Sequence, residues 1–350
     1  MQKIERILIL RFRRVGDAVL SSTLCSSLRR TFPNAEIDYV LNTGIAPLFY
    51  QHPDIDRILS FSEEEMDNFL IYLRKVYKIM RQNRYDIIVD TRSTLKTLWF
   101  SLFSLGTPYR LGKKKWYNFI HNYRSDTKLD DDVVGCTLNL LSPLERKFKL
   151  VYDRNFAIYF TKKEKEIFRK RMQTAGIRFS KPVIVCAVAT RLSYKMWSKE
   201  RMAELLLRLL HRFDVQLVFN YAGEEEEAIA EEIRREMKNH PAVFTNIKAH
   251  DLRELSAMLS NSNFFFGNEG GSRHISQALN IPSFAIFPPK ISKKTWLPNA
   301  CDRYQGIEPG EISEKANDET LSYTEKFELI TVDEVWKRLR PMLNKYLLGK

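Results

Sequence analysis

The chain opens on an apolar run of strand length, Ile7 to Phe12, and after the loop Arg13-Arg14-Val15-Gly16 the period changes. From Asp17 onward Val19, Leu20, Leu24 and Leu28 recur at helical spacing, which predicts a helix ending near Pro33. The alternation then repeats. Strands are predicted at Ile37–Leu41, Ile55–Phe61 and Tyr85–Asp90, with a short helical segment at Ile45–Tyr50, a long helix over Glu64–Asn83 and a further one at Leu95–Phe103. From about Tyr109 to Tyr159 the periodicity weakens. A charged helix, Lys162–Gly176, opens a second series with strands at Val183–Val188, Val215–Phe219, Val243–Ile247, Phe264–Phe266 and Phe284–Phe287. Helices over Lys199–Arg212, Glu224–Lys238, Leu252–Leu259 and Gly271–Leu279 lie between them, and an amphipathic helix, Val332–Leu348, closes the chain. Apolar strands alternating with helices mean βαβ units and parallel sheets covered on both faces. The expected fold is therefore α/β, two consecutive doubly wound Rossmann-like domains, with the first ending near residue 160.

Composition narrows the class. The 350 residues are 44% apolar and 28% charged, enough to bury two cores and too apolar for a disordered chain. Lys and Arg total 56 against 43 Asp and Glu, a net charge of +13, which calls for an acidic partner: nucleic acid, an anionic membrane or a phosphorylated small molecule. The excess is shared, +7 on residues 1–150 and +6 on the rest. Cys25, Cys136, Cys186 and Cys301 form no Cys-x-x-Cys pair, so a zinc ribbon is excluded and a disulfide framework is not expected. The first apolar run is too short for a secretory core, and the longest near-apolar stretch, Leu98–Leu105, falls below the about 18 residues of a membrane span. The expectation is a cytoplasmic protein with at most a peripheral membrane contact.

In doubly wound sheets ligands lie beyond the carboxyl ends of the strands, so the loops there are the places to seek chemistry. After the first strand, Gly16 relaxes the backbone at the turn and Asp17 stands where a helix begins. Asp17 reads either as a first-turn carboxylate or as a general base. Arg13 and Arg14 read as solvated charge or as ligands for an anionic acceptor. In the second half, Glu269-Gly270-Gly271-Ser272-Arg273-His274 runs from strand into helix, and helix-start N–H groups unobstructed by side chains make a pyrophosphate seat. His274 is a phosphate donor or a capping group. Thr190 and Lys195 follow the second half's first strand. Lys195 is a counter-charge for a leaving phosphate, and Trp197 reads equally as the anchor of a surface loop.

These segments resemble glycosyltransferase family 9, the ADP-heptose:lipopolysaccharide heptosyltransferases. Arg11–Leu20 looks like that family's strand, Gly-Asp and helix; Lys195-Met196-Trp197 like its Lys-x-Trp; and Asn268–Ala278 with Pro282 like its Asp-Thr-Gly-x-x-His segment, with Glu269-Gly270-Gly271 in place of Asp-Thr-Gly. The resemblance implies the GT-B architecture, with an acceptor domain at 1–160, a nucleotide-sugar domain at 161–330 and a terminal helix at 331–350 packing back on the first. It implies an inverting, metal-independent transfer of a heptose-like sugar, with no cofactor beyond an ADP-linked donor, to a lipopolysaccharide-core or related glycolipid. Asp17 would be the base, and Thr190, Lys195, Glu226, Glu269, Gly270, Gly271 and His274 would hold the donor. Glu226 would meet the ribose hydroxyls, although the run Glu224–Glu227 also reads as a solvated helix start. Arg13, Arg14, Gly16, Lys113, Lys114 and Lys115 would hold the acceptor, which is an anionic glycolipid in the inner membrane.

Other readings exist. Asp54-Ile55-Asp56 has the form of a metal-binding Asp-x-Asp but precedes a strand, and Asp130–Asp132 lacks partnering ligands. A nucleotide-sugar epimerase shares the two-domain layout. A non-catalytic binder of anionic surfaces or nucleic acid would use the acid-free stretch Arg110–Arg124, with Trp116, Tyr117, Phe119 and Tyr123 among its cations. The favoured reading gives that stretch to the acceptor or its membrane.

Overall fold

A computed structural model describes residues 3–115, 119–126 and 132–349. The chain divides into two compact units, Met1–Tyr159 and Phe160–Lys350. In the first, strands β1 (Arg6–Leu10), β2 (Glu36–Asn42), β3 (Arg57–Phe61), β4 (Ile87–Asp90), β5 (Tyr109–Lys113) and β6 (Tyr123–Ser125) form one parallel sheet in the order 3-2-1-4-5-6. The second unit repeats that order with β7 (Val183–Ala187), β8 (Gln216–Phe219), β9 (Val243–Phe244), β10 (Phe264–Asn268), β11 (Ser283–Ile286) and β12 (Tyr304–Ile307).

Each sheet changes direction beside its first strand, between β1 and β4 in one unit and between β7 and β10 in the other. There the following loops diverge and leave a crevice, the usual ligand position of an open α/β sheet. The helix Val15–Thr31 behind β1 is buried from Gly16 to Leu28, and its hydroxyls are satisfied within the unit. Ser22 and Thr23 donate to the carbonyls of Val19 and Leu20, and Ser26 donates to Asp54. Leu8, Leu10, Phe12, Phe61, Tyr72 and Phe100 centre the first core.

Several elements differ from the sequence expectation. β5, β6 and β12 were not anticipated. β5 reads Tyr-Arg-Leu-Gly-Lys, too polar to signal a strand, and β6 is three residues long. The helix expected over 64–83 is two, Glu63–Asp67 and Phe69–Gln82, because Asn68 adopts an extended conformation and caps the second. The terminal helix Val332–Leu348 contributes to the core of the second unit. Val335, Leu339, Met342 and Leu343 belong to the core of the second unit, with Leu206, Leu209 and Phe213. That core offers the helix an apolar partner within its own unit, and burial there removes the centre of its apolar stripe from water.

The acidic runs are structural where described. Asp54 accepts from Ser26, Asp56 accepts from the amide of Ile37 and pairs with Arg29, and Asp132 caps the helix Val133–Leu138 and pairs with Arg154. Asp130 and Asp131 lie outside the described residues, as do Trp116 and Tyr117. Among the described residues no group of three or more His, Cys, Asp or Glu is arranged to hold a metal ion, and no helix is long and apolar enough to cross a membrane.

Candidate functional site

In the first unit the chain leaves β1 through Arg11 and turns sharply. The strained backbone is not at Gly16, which lies inside the helix, but at Arg13 and Arg14, whose φ values of 65° and 55° are left-handed. Arg13 N donates to Asn42 Oδ1 at 2.6 Å and Arg92 Nη1 to the Phe12 carbonyl at 3.2 Å, and these bonds hold the turn against its cost. Arg14 is the N-cap residue and makes no side-chain cap bond, so Asp17 falls in the first helical turn.

Asp17 is 8% exposed, and its side chain meets Arg11 Nη2 at 2.6 Å. Arg11 Nη1 also reaches Thr91 Oγ1 at 3.4 Å. Arg92 and Lys113 close the arrangement. Burial lowers the Arg92 guanidinium from its ordinary value, the neighbouring charges of Arg11, Arg13 and Arg14 add to this, and Asp17 opposes them. Burial likewise lowers the Lys113 ammonium, with Arg11 and Lys115 reinforcing and Cys136 and Asp17 opposing. The Lys113 amide donates to Ser93 Oγ at 2.9 Å, and Lys115 Nζ donates to the Arg92 and Ser93 carbonyls at 3.1 and 3.0 Å. Lys114 takes the opposite course and pairs at the surface with Asp126 at 3.3 Å. A strand sends successive side chains to opposite faces, and that alternation, carried past the end of β5, splits the basic triplet. Sequence reasoning missed Arg92; its signal is its place just beyond the carboxyl end of β4.

In the second unit β10 approaches β7 so closely that Gly267, at φ 144°, leaves no room for a side chain. Asn268 is buried next to it. Its amide donates to the Ala187 and Val188 carbonyls at 3.1 and 3.0 Å, and its Oδ1 accepts from the Trp197 amide at 2.9 Å. One side chain thus ties the end of β10 to the end of β7 and the loop that follows it. Trp197 is buried and donates Nε1–H to the Ile330 carbonyl, the anchoring role. Thr190 Oγ1 donates to the Leu192 carbonyl within its own turn.

The helix Gly271–Ala278 follows Gly270 and has no side-chain cap. Glu269 Oε1 lies 3.4 Å from His274 Nε2 and 3.9 Å from the guanidinium of Arg273, which is fully buried. Burial alone would raise the Glu269 carboxyl, but the bond to His274 and the charges of His274, Arg273 and Lys195 outweigh it and hold it below its ordinary value. Burial pulls Arg273 down to about 10 against the Glu269 charge, and its donors go to Gln277 and the Trp296 carbonyl. Glu269, Lys195 and His274 therefore share one neighbourhood. Arg273 was not anticipated, and its only signal is its place one turn beyond Glu269. Glu226 stands at the start of the helix Gly223–Glu236, where burial raises its carboxyl against the bond that Oε2 accepts from the Ala222 amide at 2.8 Å and the charge of Arg191 in the loop after β7.

Two Rossmann-like units in this strand order have the fold of the GT-B glycosyltransferases. The sequence model of Glycosyltransferase family 9 (heptosyltransferase) matches residues 73–319, and the chain belongs to that family. Among curated proteins it is 22% identical to the lipopolysaccharide heptosyltransferase 3 of Escherichia coli, over 78% of this chain and 80% of that one. Among solved structures it superposes on a family 9 glycosyl transferase from Veillonella parvula with a TM-score of 0.80 at 17% identity, covering 100% and 99% of the two chains. An E. coli heptosyltransferase solved with ADP-2-deoxy-2-fluoro heptose matches with a TM-score of 0.71 at 15% identity over 96% and 99%. Family membership decides for a glycosyltransferase over the epimerase and the non-catalytic binding protein.

Proposed function

We propose that this glycosyltransferase moves a heptose-like sugar from an ADP-linked donor to the lipopolysaccharide core or a related glycolipid, with inversion and without a metal, at the cytoplasmic face of the inner membrane. The observation that carries the reading is the buried Asp17 carboxylate just beyond the carboxyl end of β1, paired with Arg11 and within reach of the charges of Arg92 and Lys113. The names of the relatives support heptose and lipopolysaccharide.

In this reading Asp17 takes the proton of an acceptor hydroxyl as that oxygen attacks the anomeric carbon. The bond from that carbon to the diphosphate oxygen breaks on the opposite face, and ADP departs with the electron pair. Arg11 orients the carboxylate. The cations around it suit the negative groups of an anionic acceptor, while Lys195, His274 and the N–H groups of Gly270 and Gly271 stabilise the departing diphosphate. Thr190 borders the donor and Glu226 meets its ribose. Arg13, Arg14, Lys113 and Lys115 belong to the acceptor side, where Gly16 keeps the helix start free of a side chain; Lys114 is the outermost of that group.

Asp17→Asn tests the assignment. Transfer, followed as ADP release from ADP-heptose with a glycolipid acceptor, should fall by about 10²–10⁴-fold. ADP affinity by calorimetry should be unchanged, and the parent should keep full turnover in EDTA. Near-normal turnover of the variant would remove Asp17 as the base.

A further inference from the structure

The helix Leu95–Leu102 is apolar on its outer side as well as its inner one. Leu98 and Phe100 are buried, yet Leu95 and Leu102, spaced i and i+7, are exposed on the other side, with the half-buried Trp99 between them reaching from the core to that surface. Leu95 is 71% exposed. That surface continues onto the neighbouring helix Phe69–Gln82, where Phe69 packs edge-on against Trp99 and Tyr77 against Phe103. Leu70, 77% exposed, and Leu105, 61% exposed, extend it at either side. A contiguous apolar and aromatic face of this kind marks an interaction surface.

Charge decides the partner. No Asp or Glu occurs between residues 68 and 85 or between 91 and 125. Arg74, Lys78, Arg81 and Arg84 stand exposed beside the apolar face, and none of them forms an ion pair among the described residues. Asp86, in the gap, is turned to the amides of Glu5 and Arg6, and Asp90 is buried. A second copy docking here through a twofold axis would set cation against cation. An anionic lipid surface accepts both halves, the aromatic and leucine side chains entering the acyl boundary and the cations meeting the headgroups. The face also adjoins the Asp17 site, since Leu95 follows Ser93, whose Oγ accepts from the Lys113 amide.

We propose that the outer face of the helices Phe69–Gln82 and Leu95–Leu102 is a docking surface for an anionic phospholipid bilayer. This relocates the membrane contact away from Lys113, which is half-buried among the charges of Arg11 and Asp17, and from Lys115, whose Nζ donates to the Arg92 and Ser93 carbonyls in the loop after β4. It rests on the proposed function only in supplying the membrane where a glycolipid acceptor would be met.

The full-length protein is sedimented with vesicles of 70:30 phosphatidylcholine:phosphatidylglycerol and of phosphatidylcholine alone, without donor or acceptor, so lipid binding is read independently of transfer. The parent should partition to the anionic vesicles and far less to the neutral ones. The triple variant Leu70→Glu, Leu95→Glu, Leu105→Glu, at exposed positions, should keep the parental Tm and lose at least about tenfold in partition. Arg74→Gln, Lys78→Gln, Arg81→Gln should weaken binding to anionic vesicles by roughly fivefold per charge removed. Equal partition of parent and apolar variant, or no binding of the parent to anionic vesicles, would overturn the proposal. So would light scattering that shows a parental dimer made monomeric by the apolar variant, because the face would then belong to a second copy.

Discussion

Glu269 carries a carboxylate into a nearly closed site and is held there by His274 and Arg273. Its carboxyl lies below the ordinary range because those charges and that of Lys195 together exceed the cost of burial. A group so displaced adds stability that is fully present above its unfolded value and is lost as pH falls through its folded one. Glu269→Gln should therefore show its largest deficit in Tm, roughly 3–6 °C, near neutral pH. The gap to the parent should close as the buffer is taken below the ordinary glutamate range. Thermal scans across that range check it, and a gap independent of pH would show that the charge of Glu269 contributes nothing. Asp17 and Arg11 are a carboxylate and a guanidinium with little exposure, and each is kept there by facing the other.

At the level of elements, the close approach of β10 to β7 determines the geometry of the second site. A Cβ at position 267 would fall 2.4 Å from the Ala187 carbonyl oxygen, so the strands would have to separate. Separation would also move Asn268, which links the carbonyls after β7 to the Trp197 amide. Gly267→Ala is expected to cost about 2–4 kcal/mol in denaturant unfolding, from the clash and the left-handed φ together. It should also weaken ADP binding. A midpoint within error of the parent would mean that the strand pair yields freely.

For the whole molecule, the terminal helix is a part of the second unit's core. Leu339 is fully buried in the second core, and Leu339→Ala should cost about 2–5 kcal/mol. The damage should appear in the second unit, with proteolysis of the variant beginning between residues 160 and 350. The first unit, with its separate core around Phe61 and Phe100, should persist as a resistant fragment. Initial cleavage within the first unit would contradict that independence. The net charge of +13 also takes on structure at this scale. Part of it surrounds Asp17, and part forms the basic border of an apolar face.

The sequence by itself determined the two runs of alternating strands and helices, the loops after β1, β7 and β10 as the places for chemistry, and Asp17, Lys195 and His274 as their candidates. These follow from apolar period and from glycine or acid at a strand end, properties a short window of residues carries. The tertiary structure decided the rest. β5, β6 and β12 exist because a neighbouring strand pairs with them, not because their own residues call for a strand. Lys113 and Lys115 part from Lys114 because a strand end sends neighbours to opposite faces, and Arg92 joins them because β4 lies beside β5, and joins Arg11 because β4 also lies beside β1. The terminal helix, whose apolar stripe the sequence showed, found its partner in its own unit, because period reveals that a face must be buried and not against what. For the same reason the outer apolar side of the helix Leu95–Leu102 could be recognised as unpartnered only in three dimensions.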